Sequence, residues 1–169
     1  MTKTHDLVSP VARLTVFVTD MDRSLEFYRD TLGFTQVDDK TVSGPMVGGL
    51  VGLESCTMRI VYLQSEGNDF GMVGLFEISD PPLPDGPKPP PHFYRGQAAA
   101  AFCTEDAELL QKRLDEVGVN YLLQPTAYRN PELGDFVELI VQDPDGIPVS
   151  FVQFKPLRPT QSRTWYRDV

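Results

Sequence analysis

Two stretches of this chain repeat each other. VFVTDMDRSLEFYRDTLGF, residues 16–34, is matched by AFCTEDAELLQKRLDEVGV, residues 101–119. Thr19 and Thr104 stand 85 positions apart, and so do Gly33 and Gly118. A single ungapped offset therefore carries a strand, a turn and a helix end together, and internal duplication is the economical reading. Between the copies, residues 80–91 read DPPLPDGPKPPP and hold seven of the chain's 15 prolines. Proline neither continues a helix nor donates to a sheet ladder, so this segment is a linker.

Within each copy the apolar period changes from two to about 3.6. Leu14, Val16 and Val18 alternate with Arg13, Thr15 and Phe17, as in a strand with two unlike faces. Met21, Leu25, Tyr28 and Leu32 then recur at helical spacing, and Gly33 suits the left-handed residue that closes a helix. Leu110, Leu114 and Val117 before Gly118 repeat the pattern. Helices are expected over residues 21–32 and 106–117. Three β-rich segments follow each of them, at 35–42, 57–64 and 72–79, then at 121–128, 136–142 and 148–154. Asp143-Pro144-Asp145-Gly146 has turn chemistry and supports the last hairpin. The organisation is β-α-β-β-β written twice: a first module over 10–79, a Pro-rich linker over 80–94, a second module over 95–155 and a C-terminal extension over 156–169.

Composition bounds the function. With 24 acidic against 15 basic residues, the net charge of -9 opposes a phosphate backbone, so nucleic acid is not an expected partner. No apolar run approaches the roughly 20 residues that cross a bilayer, and the first ten residues lack a secretory apolar stretch, so no membrane role and a cytoplasmic location are expected. Cys56 and Cys103 make neither a disulfide framework nor a zinc spacing.

VTDMDRSLEFYRDTLGF, followed far downstream by DPDGIPVSFVQF, resembles the vicinal oxygen chelate superfamily, which includes glyoxalase I, bleomycin-resistance proteins and extradiol dioxygenases. The likeness spans roughly residues 10–155. It implies an α+β fold in which two βαβββ modules form a U-shaped, incomplete eight-stranded barrel, with helices outside and a ligand cavity within; many relatives are homodimers. Fold alone transmits no activity, so the cavity positions must supply it.

Metal-using relatives carry a His, Gln or Glu on the first strand of a module and usually a Glu on its last. Here the first-strand positions fall on Arg13 and, by the offset of 85, on Ala98; the last-strand positions fall on Gly74 and Ser150. None is an ordinary anionic or imidazole ligand, so neither a metal nor any other cofactor is expected. Glu77, three positions beyond Gly74, has the opposite parity. The histidines do not rescue the site: His5 lies in the N-terminal tail and His92 beside the linker prolines, where a solvated residue is the simpler reading, although His92 stays a catalytic candidate.

Strand parity extends the candidate ligand-binding set to Arg13, Thr15 and Phe17 in the first copy and Ala98, Ala100 and Phe102 in the second, together with Gly74 and Ser150. Ala99, Ala101 and Cys103 then face the helix, and Cys103 reads as a core thiol. Arg13 is the sharpest candidate, because a guanidinium offers a permanent charge and a forked donor to a carboxylate or enolate. Its competing role is neutralisation by a buried acid, with Glu138 the first partner to test and itself a catalytic candidate. The Gly-rich stretch 43–54 lacks a phosphate-loop ending and reads as a mobile loop at a cavity mouth. Trp165 and Tyr166 in the extension suit an anchor on a second subunit.

Three functional classes follow. The first is an enzyme without the usual metal, acting on a small organic molecule; the second is a metal-free binding protein that sequesters its ligand; the third is a metal-dependent lyase or dioxygenase, which the missing ligands disfavour.

Overall fold

The computed structural model describes residues 9–65, 70–86, 92–129, 131 and 134–155. The chain divides into two compact units, Met1–Asp85 and Gly86–Val169. The first contains β1 (Arg13–Phe17), α1 (Met21–Leu25) running into a π-helical segment (Glu26–Thr31), β2 (Thr35–Gly44), α2 (Pro45–Leu50), β3 (Cys56–Gln64) and β4 (Met72–Asp80). The second contains β5 (Ala100–Cys103), α3 (Ala107–Glu116), β6 (Asn120–Tyr128), β7 (Asp135–Gln142) and β8 (Pro148–Lys155). Each unit holds one open four-stranded sheet, ordered β1-β4-β3-β2 and β5-β8-β7-β6. In both, the first strand runs parallel to the last and the other pairs are antiparallel. This is the expected α+β fold of two βαβββ modules.

One face of each sheet is sealed by its long helix. In the first unit Val16, Val61, Leu63, Val73 and Leu75 share a face and are buried, as are Met21, Leu25 and Tyr28 from the helix. In the second, Leu139, Val141, Val149 and Phe151 are buried together with Ala107 and Leu114. Removing such surface from water, at about 25 cal/mol per Å², is the main driving force for each module. Both helices start alike. Asp20 and Asp106 cap them by accepting from the amides of Arg23 and Leu109, and a side chain of the last strand accepts from the first helical amide: Glu77 from Met21 at 3.0 Å and Gln153 from Ala107 at 3.3 Å. From β6, Tyr121 donates to Asp115 of α3 at 2.9 Å; burial, then that bond, pushes the phenol upward and keeps it a donor.

The duplication is real but not ungapped. Val16 pairs with Leu75 and Phe102 with Phe151, and the caps are Asp20 and Asp106; all of these first-strand and cap equivalences stand 86 apart. At the helix ends the C-caps Leu32 and Val117 stand 85 apart. The extra residue in the first helix is absorbed by the π segment, where the Leu32 amide reaches back five residues to the Phe27 carbonyl at 3.0 Å. A similar string of letters hides the slip, because Thr19 and Thr104 match in type while lying one residue out of structural register.

The slip exchanges the two faces of β5. Ala100 is buried, and it and Phe102 stand on the helix side, paired with Val149 and Phe151. Ala101 and Cys103 stand on the other side, so Cys103 is half-buried there and not a core thiol. The structural counterpart of Arg13 is Ala99, not Ala98.

One further expectation needs correction. The Gly-rich stretch is an ordered helix, α2, not a mobile loop: Val47 is buried against Cys56, Met58 and Ile78, with Val42, Leu53 and Leu83 packed around them. Cys56 is buried in that cluster. The Asp143 turn forms as expected, its carboxylate accepting from the Asp145 and Ile147 amides. Trp165, Tyr166 and His5 lie outside the described residues, as do residues 87–91 of the linker.

On the helix face of the first sheet, Arg59 bridges Asp39 at 2.9 Å and Asp22 at 3.4 Å. The Arg59 hydrogen bond holds the Asp39 carboxyl below its ordinary value of 3.8. A depressed folded-state pKa contributes stability above the unfolded value and loses it as pH falls through the folded one. The stability difference between the wild type and Asp39→Asn should therefore be largest near neutrality, and shrink once pH drops below the ordinary carboxylate range. For a pair this open to solvent it should amount to less than about 1 kcal/mol, as read by urea denaturation across pH.

Candidate functional site

The face of the first sheet turned from α1 carries the residues that the sequence singled out in that module. Pairing runs Thr15–Gly74–Tyr62–Asp38 in one row and Phe17–Phe76–Ile60–Lys40 in the next, with Arg13 beside Met72. Arg13 is held in place. Its Nε donates to the Thr15 hydroxyl at 3.0 Å, and its guanidinium carbon lies 5.3 Å from the centre of the Tyr62 ring and 5.6 Å from that of Phe76. Such stacking on aromatic faces is typical of arginine and leaves the terminal nitrogens of the fork available. Among the described residues they meet no carboxylate.

Gly74 makes this arrangement possible. A Cβ there would lie 3.2 Å from Arg13 Cδ, 3.2 Å from a Phe76 ring carbon and 3.3 Å from one of Tyr62. The arginine stem and both rings close over a position that has no side chain. Phe17 completes the apolar floor, its ring edge-on to Phe76 at 5.8 Å. Lys40 stands over the other end of Tyr62 at 5.3 Å and pairs with Asp38 at 2.6 Å. The far end of the same face is closed by α2 above Met58 and Ile78. Arg13, Lys40 and Asp38 leave the patch with a net positive charge in a protein whose total is -9.

On the second sheet, Ser150 and Glu138 share the face turned from α3. The Ser150 hydroxyl donates to Glu138 Oε1 at 2.7 Å. Glu138 thus takes its hydrogen bond within its own module, while Arg13 is held within the other. Ala100 and Phe102 belong to the helix side, and Ala98 precedes β5. His92 is exposed, its Nδ1 3.3 Å from the neighbouring Phe93 carbonyl. Tyr62, Phe76 and Lys40 were not among the sequence candidates. Phe76 was legible, being two residues from Gly74 on one strand; Tyr62 and Lys40 needed the register of β3 against β4 and of β2 against β3.

The family model of the glyoxalase/bleomycin resistance protein/dioxygenase superfamily matches residues 11–151. The chain belongs to that superfamily, the vicinal oxygen chelate proteins. Solved structures agree on the fold. A glyoxalase family protein from Bacillus cereus superposes with a TM-score of 0.74 at 19% identity, covering 90% of this chain and 97% of that one. One from Enterococcus faecalis gives 0.57 at 17% identity over 85% and 96%. A glyoxalase I mutant from Zea mays gives 0.57 at 17% identity over 85% of this chain and 44% of that one. No curated protein matches the sequence. No helix among the described residues is long and apolar enough to cross a membrane.

Membership raises the question of the metal that metal-using relatives hold, and the donor set answers it. Arg13 brings a positive charge, Gly74 and Ala99 bring no donor, and the Ser150 hydroxyl already serves Glu138. At neither module's pair of positions would a divalent ion gain the carboxylates or imidazoles that compensate for its lost hydration. These residues do not fit the ion. Among the described residues, no three His, Cys, Asp or Glu side chains gather elsewhere as ligands.

Proposed function

We propose that this vicinal oxygen chelate protein binds a small organic anion with an apolar body on the face of its first sheet turned from α1, with Arg13 in the role that a divalent ion has in metal-using relatives. The observation that carries the reading is the guanidinium held between Thr15, Tyr62 and Phe76 over the gap left by Gly74. A preorganised fork presents two parallel donors to a carboxylate or enolate, while the rings and Phe17 receive the apolar part. The fixed positive charge also gives content to an enzyme reading, since it would stabilise an enolate as it forms. Consumption of the bound compound by metal-depleted protein would separate turnover from sequestration.

Benzoate titrated into the full-length protein tests the proposal. Binding should survive chelator treatment, fall at least about tenfold in Arg13→Ala and fall less in Arg13→Lys, which keeps the charge but loses the fork. Equal affinity in all three proteins would overturn it, and so would binding that requires an added divalent ion.

Homodimerisation is proposed as well. Its support is the exposed apolar side chains Val11, Phe17, Val37, Met46 and Leu50, and the short edge strand β1. A sedimentation profile of a monomer at micromolar concentration would exclude it.

A further inference from the structure

The second sheet carries a recognition surface of the opposite sign. On the face turned from α3, three rows lie side by side. Tyr128, Phe136 and Phe154 form the first, Thr126, Glu138 and Val152 the second, Leu123, Ile140 and Ser150 the third. The rings of the first row are in contact, Tyr128 and Phe136 stacked at 5.0 Å and Phe136 and Phe154 tilted at 6.1 Å. Glu138 is half-buried between this aromatic row and the Leu123, Ile140 and Ser150 row. Its Oε1 is fixed by the Ser150 hydroxyl at 2.7 Å.

A half-buried carboxylate on an otherwise uncharged sheet face has lost part of its hydration and gains from a cation that replaces it. The ring faces beside it attract the same kind of group, because an aromatic quadrupole is negative above its plane. The serine orients the carboxylate and occupies one of its oxygens, leaving the other for a donor. Arginine and lysine are absent from the three rows, so among the described residues no side chain of these rows neutralises Glu138.

We propose that the Glu138–Ser150 pair and the Phe136–Tyr128 rings form a binding site for an organic ammonium group carried on an apolar or aromatic body. This site is carried by the second unit and the Arg13 patch by the first, and the proposal does not rest on anion binding at Arg13. Glu138 supplies the charge and the acceptor, Ser150 positions it, and the rings hold the carbon skeleton.

Benzylamine, protonated at neutral pH, is the probe, titrated calorimetrically into the full-length protein, with neutral benzyl alcohol as the control. Saturable benzylammonium binding is expected, with benzyl alcohol at least about tenfold weaker, since the charge-assisted bond and the cation–π attraction are both lost. Glu138→Gln keeps the shape and an acceptor for Ser150 but removes the charge, and should weaken benzylammonium by about tenfold. Phe136→Leu should weaken it about threefold and gives a second readout should the glutamine variant fold poorly. The proposal is overturned if benzylammonium fails to saturate by about 20 mM, if benzyl alcohol binds equally well, or if folded Glu138→Gln and Phe136→Leu both bind like the wild type. Benzoate affinity reports the Arg13 patch in the same samples, so failure of either reading is seen apart from the other.

Discussion

Alanine at Gly48 should destabilise the protein by about 3 kcal/mol, although it adds a single methyl group in a helix where alanine is intrinsically the better residue. The added Cβ would lie 2.6 Å from the Ser55 Cα, 2.7 Å from the Ser55 nitrogen and 2.9 Å from the Leu53 carbonyl oxygen. All three are backbone atoms and cannot swing aside as a side chain would. The collision is relieved only if α2 lifts, and lifting withdraws Val47 from Cys56, Met58 and Ile78. Gly49 is the control, since a Cβ there meets nothing within 4 Å; Gly49→Ala should be neutral or stabilising by a few tenths of a kcal/mol. Urea denaturation gives the energies. Thiol labelling gives the mechanism, because the buried Cys56 should react with an aromatic disulfide reagent much faster in Gly48→Ala than in Gly49→Ala. Equal stability and equal labelling would show that α2 is not seated as described.

Removing one residue from each long helix should give opposite results. In the first helix the π segment Glu26–Thr31 already holds one residue more than its counterpart. Deleting the exposed Asp30 should therefore convert that turn to an ordinary α-helical one, keeping Met21, Leu25 and Tyr28 on the core and the Gly33 end in place, for less than about 1.5 kcal/mol. The surface ion pair lost with it, Arg29 to Asp30 at 2.7 Å, is solvent-exposed and worth little. In the second helix there is no spare residue. Deleting the exposed Lys112 should turn everything after it by about 100°, taking the fully buried Leu114 off the sheet and Asp115 away from Tyr121. The loss should match or exceed the roughly 2–5 kcal/mol of a buried leucine truncated to alanine. Thermal melts of the two deletion variants decide the matter: comparable losses in both would mean that the π segment is not an insertion.

The βαβββ order, the strands to within two residues and both helix ends were legible in the sequence, because they rest on local signals. Period two, period 3.6 and Gly after a helix act within a few residues and survive any change in what surrounds them. The residue types at Arg13, Gly74 and Ser150 can likewise be read by counting along the chain. What failed was the equivalence of the two halves over longer stretches. A one-residue slip in offset is nearly invisible in letters, yet in a strand of period two it exchanges every side chain between faces. It moved Ala100 and Phe102 to the core side and Cys103 away from it. Only the hydrogen-bond register of β5 on β8 and the five-residue step to Phe27 expose the extra residue.

The two candidate sites divide the same way. Arg13 stood out in the sequence as a guanidinium at a first-strand ligand position of the family, and Glu138 as the acid to test against it. That Arg13 lies over Tyr62 and Phe76 and that Glu138 holds Ser150 depend on pairing across strands 12 to 63 positions apart in the chain. Likewise, the glycines of residues 43–54 suggest looseness when read along the chain, and become a close-packed helix only against Leu53 and Ser55. Sequence determined the elements and the chemistry available on each, because both are set by neighbours along the backbone. Tertiary structure decided which face each side chain occupies and what it meets there, because those depend on registers that no local signal encodes.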